Sequence, residues 1–142
     1  MMIFSSSKLA TDQPQPPPCR RILIVEDDPE YARLLELYLE LQPDLIPVGR
    51  VSTVAEAAAS ARDARPDLVI TDYRLPDGDG ATVTALVRRQ APRTVVVMLT
   101  GDRSPQCRQR ALAVGVDAFL QKGEPLSTVL MTIRRLPCRP AA

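Results

Sequence analysis

Acidic side chains follow two predicted buried strands, at the points where each strand ends. The apolar run at residues 22–25 is followed by Glu26 and Asp27, and the run at 68–71 is followed by Asp72. Carboxylates held close together raise one another's pKa unless a cation joins them. With oxygen ligands, no histidine and no paired cysteine pattern, the expected cation is a hard one, Mg²⁺ or Mn²⁺ in its place.

Two other predicted strands end on side chains that complement such a metal site. Thr100 ends the strand at 94–99 and is followed by Gly101, and Lys122 follows the strand at 117–121. Lys122 is one of two lysines in a chain with sixteen arginines, so a compact point charge has been kept there. A metal-loaded carboxylate facing a hydroxyl and an ammonium is suited to holding phosphoryl oxygens.

The elements that must position these side chains alternate along the chain. Strands are predicted at 21–26, 45–51, 67–71, 94–99 and 117–121, each followed by a helix. The pattern predicts an α/β fold of the flavodoxin-like type, with a five-stranded parallel sheet and helices on both faces. Pro47 places the second strand at an edge, while the apolar runs suit central strands 1, 3 and 4. The order 2-1-3-4-5 satisfies both, and brings the ends of strands 1 and 3 together.

Length and composition exclude several classes. The 142 residues suit one domain, and the formal charge of +1 argues against direct binding to nucleic acid or to a membrane surface. No apolar run could span a bilayer, and three widely spaced cysteines fit a reducing cytoplasm. Residues 1–20 are predicted to be a disordered Pro-rich arm, 21–137 the folded domain, and 138–142 a frayed C-terminus.

Over about residues 21–136 the chain resembles the receiver domains of two-component response regulators. The resemblance rests on strand-end motifs in order along the chain, namely Glu26-Asp27, Asp72, Pro76, Gly80, Thr100, Phe119 and Lys122. It implies the same strand order, a cytoplasmic signalling protein rather than an enzyme, and a phosphoacceptor that assists its own phosphorylation and dephosphorylation.

The resemblance also implies a role for each matching residue. Asp72 would accept the phosphoryl group, and Thr100 and Lys122 would contact it. Asp27 would bind Mg²⁺ directly, Glu26 would assist through water, and the backbone carbonyl of Arg74 would be a further ligand. Phe119 would be the switch aromatic that moves with Thr100. Gly123 stands where many receivers have proline, so no cis peptide is expected after Lys122.

The implied partners are a histidine kinase or phosphotransfer protein and a downstream protein target, with a homodimer left open. The surface of the fourth helix, fifth strand and fifth helix would respond to phosphorylation. Arg103, Arg108 and Arg110 would add positive charge there for an acidic partner.

Two alternatives remain open at this stage. The chain could be the receiver half of a larger DNA-binding response regulator. It could also be an aspartate-nucleophile phosphohydrolase, although Arg74 stands where those enzymes usually carry a second acid.

Overall fold

Five parallel strands form one sheet in the computed structural model, which describes residues 20–137. Their order from edge to edge is 2-1-3-4-5, as predicted. The predicted arm lies outside the described residues except for Arg20, which opens the first strand, and residues 138–142 lie outside them as well. The strands are β1 (Arg20–Val25), β2 (Leu45–Val51), β3 (Leu68–Thr71), β4 (Val95–Thr100) and β5 (Ala118–Gln121).

Five helices connect and cover these strands. Asp28, Thr53 and Ser104 cap their helices, each accepting a hydrogen bond from a backbone N–H in the first turn. The helices are α1 (Pro29–Glu40), α2 (Val54–Ala64), α3 (Gly80–Gln90), α4 (Pro105–Val114) and α5 (Leu126–Arg135).

The core has a layer on each face of the sheet. On one face α1 and α5 pack against Ile22, Ile24 and Val97. On the other face α2 and α3 pack against Leu23 and Val69, and α4 packs against Met98. Side chains of one strand alternate between the two faces, so the central strands are apolar throughout.

The edge position of β2 agrees with its proline. Pro47 lies opposite Ile22 of β1, and the register then shifts so that Leu23 lies opposite Gly49. Proline has no N–H to donate to a ladder, and an edge strand has only one neighbour to satisfy. The predicted β1 and β4 were each shifted by one residue, and β3 and β5 were each predicted to begin one residue too early, because end residues pair with neighbours that sequence alone does not reveal.

The loop after β3 contains a short hairpin that the sequence did not predict. Arg74–Leu75 pairs antiparallel with Gly78–Asp79. Asp77 accepts hydrogen bonds from the N–H groups of Val54 and Ala55, and Asp79 caps α3. Asp77 and Asp79 are therefore more than turn residues, since each stabilises the start of a helix. No helix of the described chain is long and apolar enough to cross a membrane.

Candidate functional site

The three predicted acids meet at the carboxyl edge of the sheet. β1 and β3 are neighbours with Val25 opposite Thr71, so the residues that follow them emerge side by side. Carboxylate oxygens of Glu26, Asp27 and Asp72 all lie within 4.8 Å of one another. Glu26 and Asp72 are buried and Asp27 is exposed. Three oxygen donors around one point, one of them open to solvent, fit a hard divalent cation that keeps part of its water shell.

Lys122 reaches into the same cluster from the end of β5. Its Nζ lies 2.6 Å from Glu26 Oε1 and 2.8 Å from Asp72 Oδ2. It also lies 4.7 Å from the centre of the Tyr31 ring, within the range of a cation–π contact. The ring of Tyr31, on α1, therefore covers the ammonium. In this structure Lys122 supplies the positive charge that the clustered carboxylates require.

Burial dominates the proton equilibrium of Glu26. It raises the pKa of this carboxyl to about 7, although hydrogen bonds from Lys122 and from the N–H of Asp28 act in the opposite direction. For Lys122, burial alone would lower the pKa, but its bonds to Asp72 and Glu26 outweigh that effect and raise it. A buried carboxyl that resists ionisation is one that a bound cation would stabilise.

The Asp72 side chain is held by its local backbone. Its Oδ1 accepts a hydrogen bond of 2.6 Å from the N–H of Tyr73, and Lys122 binds Oδ2. The first residue of α3 presses against this position, since a Cβ on Gly80 would lie 2.3 Å from the Asp72 carbonyl oxygen. Only glycine at position 80 allows α3 to approach the backbone of Asp72 so closely. This contact holds the end of β3, and with it Asp72, in place.

A pocket of about 320 Å³ opens in front of Asp72. The Thr100 hydroxyl accepts a hydrogen bond of 3.1 Å from the N–H of Asp102, which leaves its own hydrogen free to be donated. The pocket thus brings together the predicted acceptor, hydroxyl and ammonium. Its lining residues are Asp72, Arg74, Thr100, Gly101, Asp102 and Lys122.

Asp102 is a pocket residue that sequence reasoning missed. Its side chain is almost fully buried, and its Oδ2 lies 2.8 Å from a guanidinium nitrogen of the exposed Arg74. Hydrogen bonds from Ser104 are the main cause of the lowered pKa of this carboxyl. Its position two residues after Thr100 was the only available signal. The Arg74 side chain forms this ion pair across the pocket. The role of the Arg74 carbonyl as a metal ligand remains a prediction.

Phe119 lies on the α4 side of β5, opposite Met98 of β4. It is partly buried and packs with Met98, Cys107 and Ala111. The guanidinium of Arg108 lies 5.7 Å from the ring centre.

The three arginines predicted to form one positively charged surface have different neighbours. Arg103 is exposed and Arg108 covers Phe119, but Arg110 is ion-paired with Asp79 at 3.3 Å. Arg110 is thereby directed toward the start of α3, because an acid of the hairpin lies within its reach.

Comparisons with known proteins agree with this arrangement. A family model described as the response regulator receiver domain matches residues 22–134. The response regulator protein VraR of Staphylococcus aureus is 32% identical over 116 residues, covering 81% of this chain and 55% of VraR. The chain therefore spans about half the length of the curated relatives it matches.

Solved structures share the fold. The non-phosphorylated HemR receiver domain from Leptospira biflexa is 30% identical, with a TM-score of 0.75 over 87% of this chain and 99% of that one. A LuxR-family DNA-binding response regulator from Staphylococcus aureus, 22% identical, has a TM-score of 0.78 over 82% and 97% of the two chains. With the family model matching most of its length, this chain belongs to the response regulator receiver domain family.

Proposed function

We propose that this chain is a phosphorylation-activated signalling receiver whose phosphoacceptor is Asp72. The observation that carries the proposal is that the Asp72 carboxylate and the partly buried Lys122 ammonium line one pocket, with two further acids clustered beside Asp72. A histidine kinase or phosphotransfer protein is the expected donor, because the curated relatives are response regulators.

In the proposed transfer a carboxylate oxygen of Asp72 attacks phosphorus in line, and the bond from phosphorus to the donor atom breaks. Lys122 and Thr100 face the pocket where the phosphoryl oxygens would lie, one with an ammonium and one with a hydroxyl hydrogen. Glu26, Asp27 and Asp72 would hold Mg²⁺, which when bound neutralises the negative charge shared by acceptor and donor. The Arg74 carbonyl is proposed as an additional ligand.

The signal would leave through the surface of α4, β5 and α5. Phe119 on β5 lies opposite Met98, two residues before Thr100 on β4, so a shift of Thr100 toward a phosphoryl group would be passed along β4 to the packing of that ring. A downstream protein would read the change. Addition of beryllofluoride, a phosphoryl mimic, should alter hydrogen exchange in α4 and β5 more than in α2.

The direct test is incubation with Mg²⁺ and acetyl phosphate, followed by intact mass measurement. The wild type should gain one phosphoryl group, and Asp72→Asn should gain none. Asp77→Asn is the matched control, because it removes a carboxylate from the same loop and keeps an oxygen for the α2 cap. A wild type unmodified by acetyl phosphate and by phosphoramidate would overturn the proposal. Steady turnover of small phosphomonoesters would instead favour the phosphohydrolase alternative.

A second candidate is the receiver half of a larger DNA-binding response regulator. It is favoured by the coverage of VraR, of which this chain spans 55%. The native protein detected in its own cells by an antibody to residues 20–137 should then have a mass well above 15.6 kDa. A native mass equal to that value would exclude this candidate.

A further inference from the structure

A second cavity lies at the opposite end of the strands from Asp72, where the strands begin. Its volume is about 590 Å³, within the range of roughly 300–1,000 Å³ that is usual for ligand sites. It lies between the ends of α2 and α3. Its apolar wall comprises Ala61, Pro66, Ala91 and Pro92, and its polar lining comprises Arg62, Arg65, Asp67, Gln90, Arg93 and Thr94.

Arg65 has an unusual backbone conformation at the rim of this groove. Its φ is 48°, and it is the one residue other than glycine with positive φ among residues 20–137. α4 ends in the same left-handed way, but on Gly115, which has no Cβ to clash. At the end of α2 the chain therefore carries an arginine where glycine would be easier, and that arginine lines the groove.

The charge of the groove is positive. Three arginines and one acid, Asp67, line it, and Asp67 Oδ2 accepts a hydrogen bond of 2.7 Å from the N–H of Arg21. Arg62 also forms a solvent-exposed ion pair with Asp63 at 3.2 Å, and exposed pairs of this kind are weak. A basic residue near a helix end also complements the helix dipole, which accounts for Arg62 in the last turn of α2. The dipole does not require a strained arginine past the helix end, since a lysine or arginine inside the last turn serves it equally.

We propose that this groove binds an acidic segment of a partner polypeptide that also carries an apolar side chain. Carboxylates of the segment would pair with Arg65 and with Arg62, whose existing pair with Asp63 is open to solvent, and the apolar side chain would lie against the alanines and prolines. Bidentate arginine–carboxylate pairs favour carboxylates over neutral groups. The groove lies away from the Asp72 pocket and shares none of its lining residues, so both can be occupied together.

The proposal is tested with a ten-residue peptide containing four aspartates around two leucines. Titration into the ¹⁵N-labelled chain should shift amides in residues 61–67 and 90–94, with the amides near Asp72 unchanged. Arg65→Gly should weaken binding about tenfold while the melting temperature stays level or rises, because glycine relaxes the left-handed residue. Arg65→Lys should keep only part of the affinity, because lysine retains the charge and loses the bidentate geometry. Equal binding by wild type and Arg65→Gly would overturn the proposal.

Further measurements distinguish an acidic peptide from other possible ligands of the groove. A peptide with glutamine in place of aspartate should bind at least tenfold more weakly than the acidic one, and equal binding would refute recognition of charge. Stronger binding of a DNA duplex or of inorganic phosphate at the same amides would replace the proposed partner by a nucleic acid or a small anion. Self-association that is lost in Arg65→Gly would assign the groove to a second copy of the chain. Stronger binding of DNA or phosphate, and self-association of this kind, each count against an acidic partner peptide.

Discussion

The buried carboxyl of Glu26 should make the metal-free protein less stable as pH rises. Its folded pKa of about 7 lies above the ordinary value of 4.5, so the folded state holds a proton that the unfolded state releases. Stability is then fully present below pH 4.5 and falls as pH rises to about 7, by about 3 kcal/mol. Urea unfolding in EDTA at several pH values measures this slope.

The composition of the chain leaves few other groups that could change stability in this pH range. There is no histidine to titrate between pH 4.5 and 7. The acids with lowered pKa, such as Asp44 and Asp102, contribute stability that is lost only as pH falls below their ordinary value of 3.8. Glu26→Gln should therefore flatten the slope. A variant that keeps the full slope would show that another group is responsible.

Gly80 and Gly101 form a matched pair at the same site. A methyl group on Gly80 would lie 2.3 Å from the Asp72 carbonyl oxygen, whereas on Gly101 the nearest heavy atom is 4.0 Å away, on the Lys122 chain. Gly80→Ala should cost about 2 kcal/mol, because backbone must move to relieve the overlap and the gain in helix propensity is smaller. Gly101→Ala should change the free energy of unfolding by less than about 0.5 kcal/mol. Chemical denaturation compares them, and equal effects would contradict the close packing.

The site could be predicted from the sequence wherever a residue directly follows a strand. Glu26, Asp27, Asp72 and Lys122 all do, and the sheet brings strand ends together whatever the loops do. The ion pair of Asp102 with Arg74 joins two loops, whose relative placement leaves no periodic trace in sequence. The Lys122–Glu26 contact was missed for a related reason. Whether the Lys122 side chain reaches the end of β1 depends on its rotamer, which the sequence does not reveal.

At the scale of elements, long periodic segments were predicted and short ones were not. The helices and sheet strands repeat apolar residues over four to twelve positions, which is enough to reveal a period. The hairpin at 74–79 has two residues in each strand, too few for any alternation. Its Asp77 caps a helix that begins 23 residues earlier, a relation that only the folded chain reveals.

Arg88 ties three elements together at the amino edge of the sheet. Its guanidinium binds the Gly115 carbonyl at 2.7 Å and Asp117 Oδ2 at 2.5 Å, and the same carboxylate oxygen accepts the N–H of Val96. Arg88→Ala should cost about 1–3 kcal/mol, because it removes the charged partner of a largely buried acid. Hydrogen exchange should also speed up at the start of β4.

The neighbouring Arg89 is the control for Arg88. It is exposed, and no hydrogen bond or ion pair involves it within residues 20–137. Arg89→Ala should leave the free energy of unfolding within about 0.5 kcal/mol of the wild type. If the two variants lose the same stability, the tie through Asp117 contributes nothing beyond the general effect of removing an arginine.

At the scale of the whole molecule, the formal charge of +1 hides a separation of charge between the two edges of the sheet. The carboxyl edge and the first turns of the helices carry most of the acids. The amino edge and the helix ends carry arginines at positions 20, 21, 62, 65, 88, 89, 93, 134 and 135. Acids at helix starts and bases at helix ends both complement helix dipoles. The same separation would suit the proposed cation site at one edge and the proposed acidic partner at the other.

Mg²⁺ should therefore stabilise the whole chain by binding at the carboxyl edge. At tenfold excess over its dissociation constant the ion adds about 1.4 kcal/mol, a rise of several degrees in melting temperature. The rise should be larger at pH 8 than at pH 5.5, because Glu26 must lose its proton to bind. Asp27→Asn should reduce it, while Asp63→Asn, which alters an exposed acid at the other edge, should not. Sodium chloride at matched ionic strength is the salt control. An equal rise with sodium chloride would mean screening of charge and no bound ion.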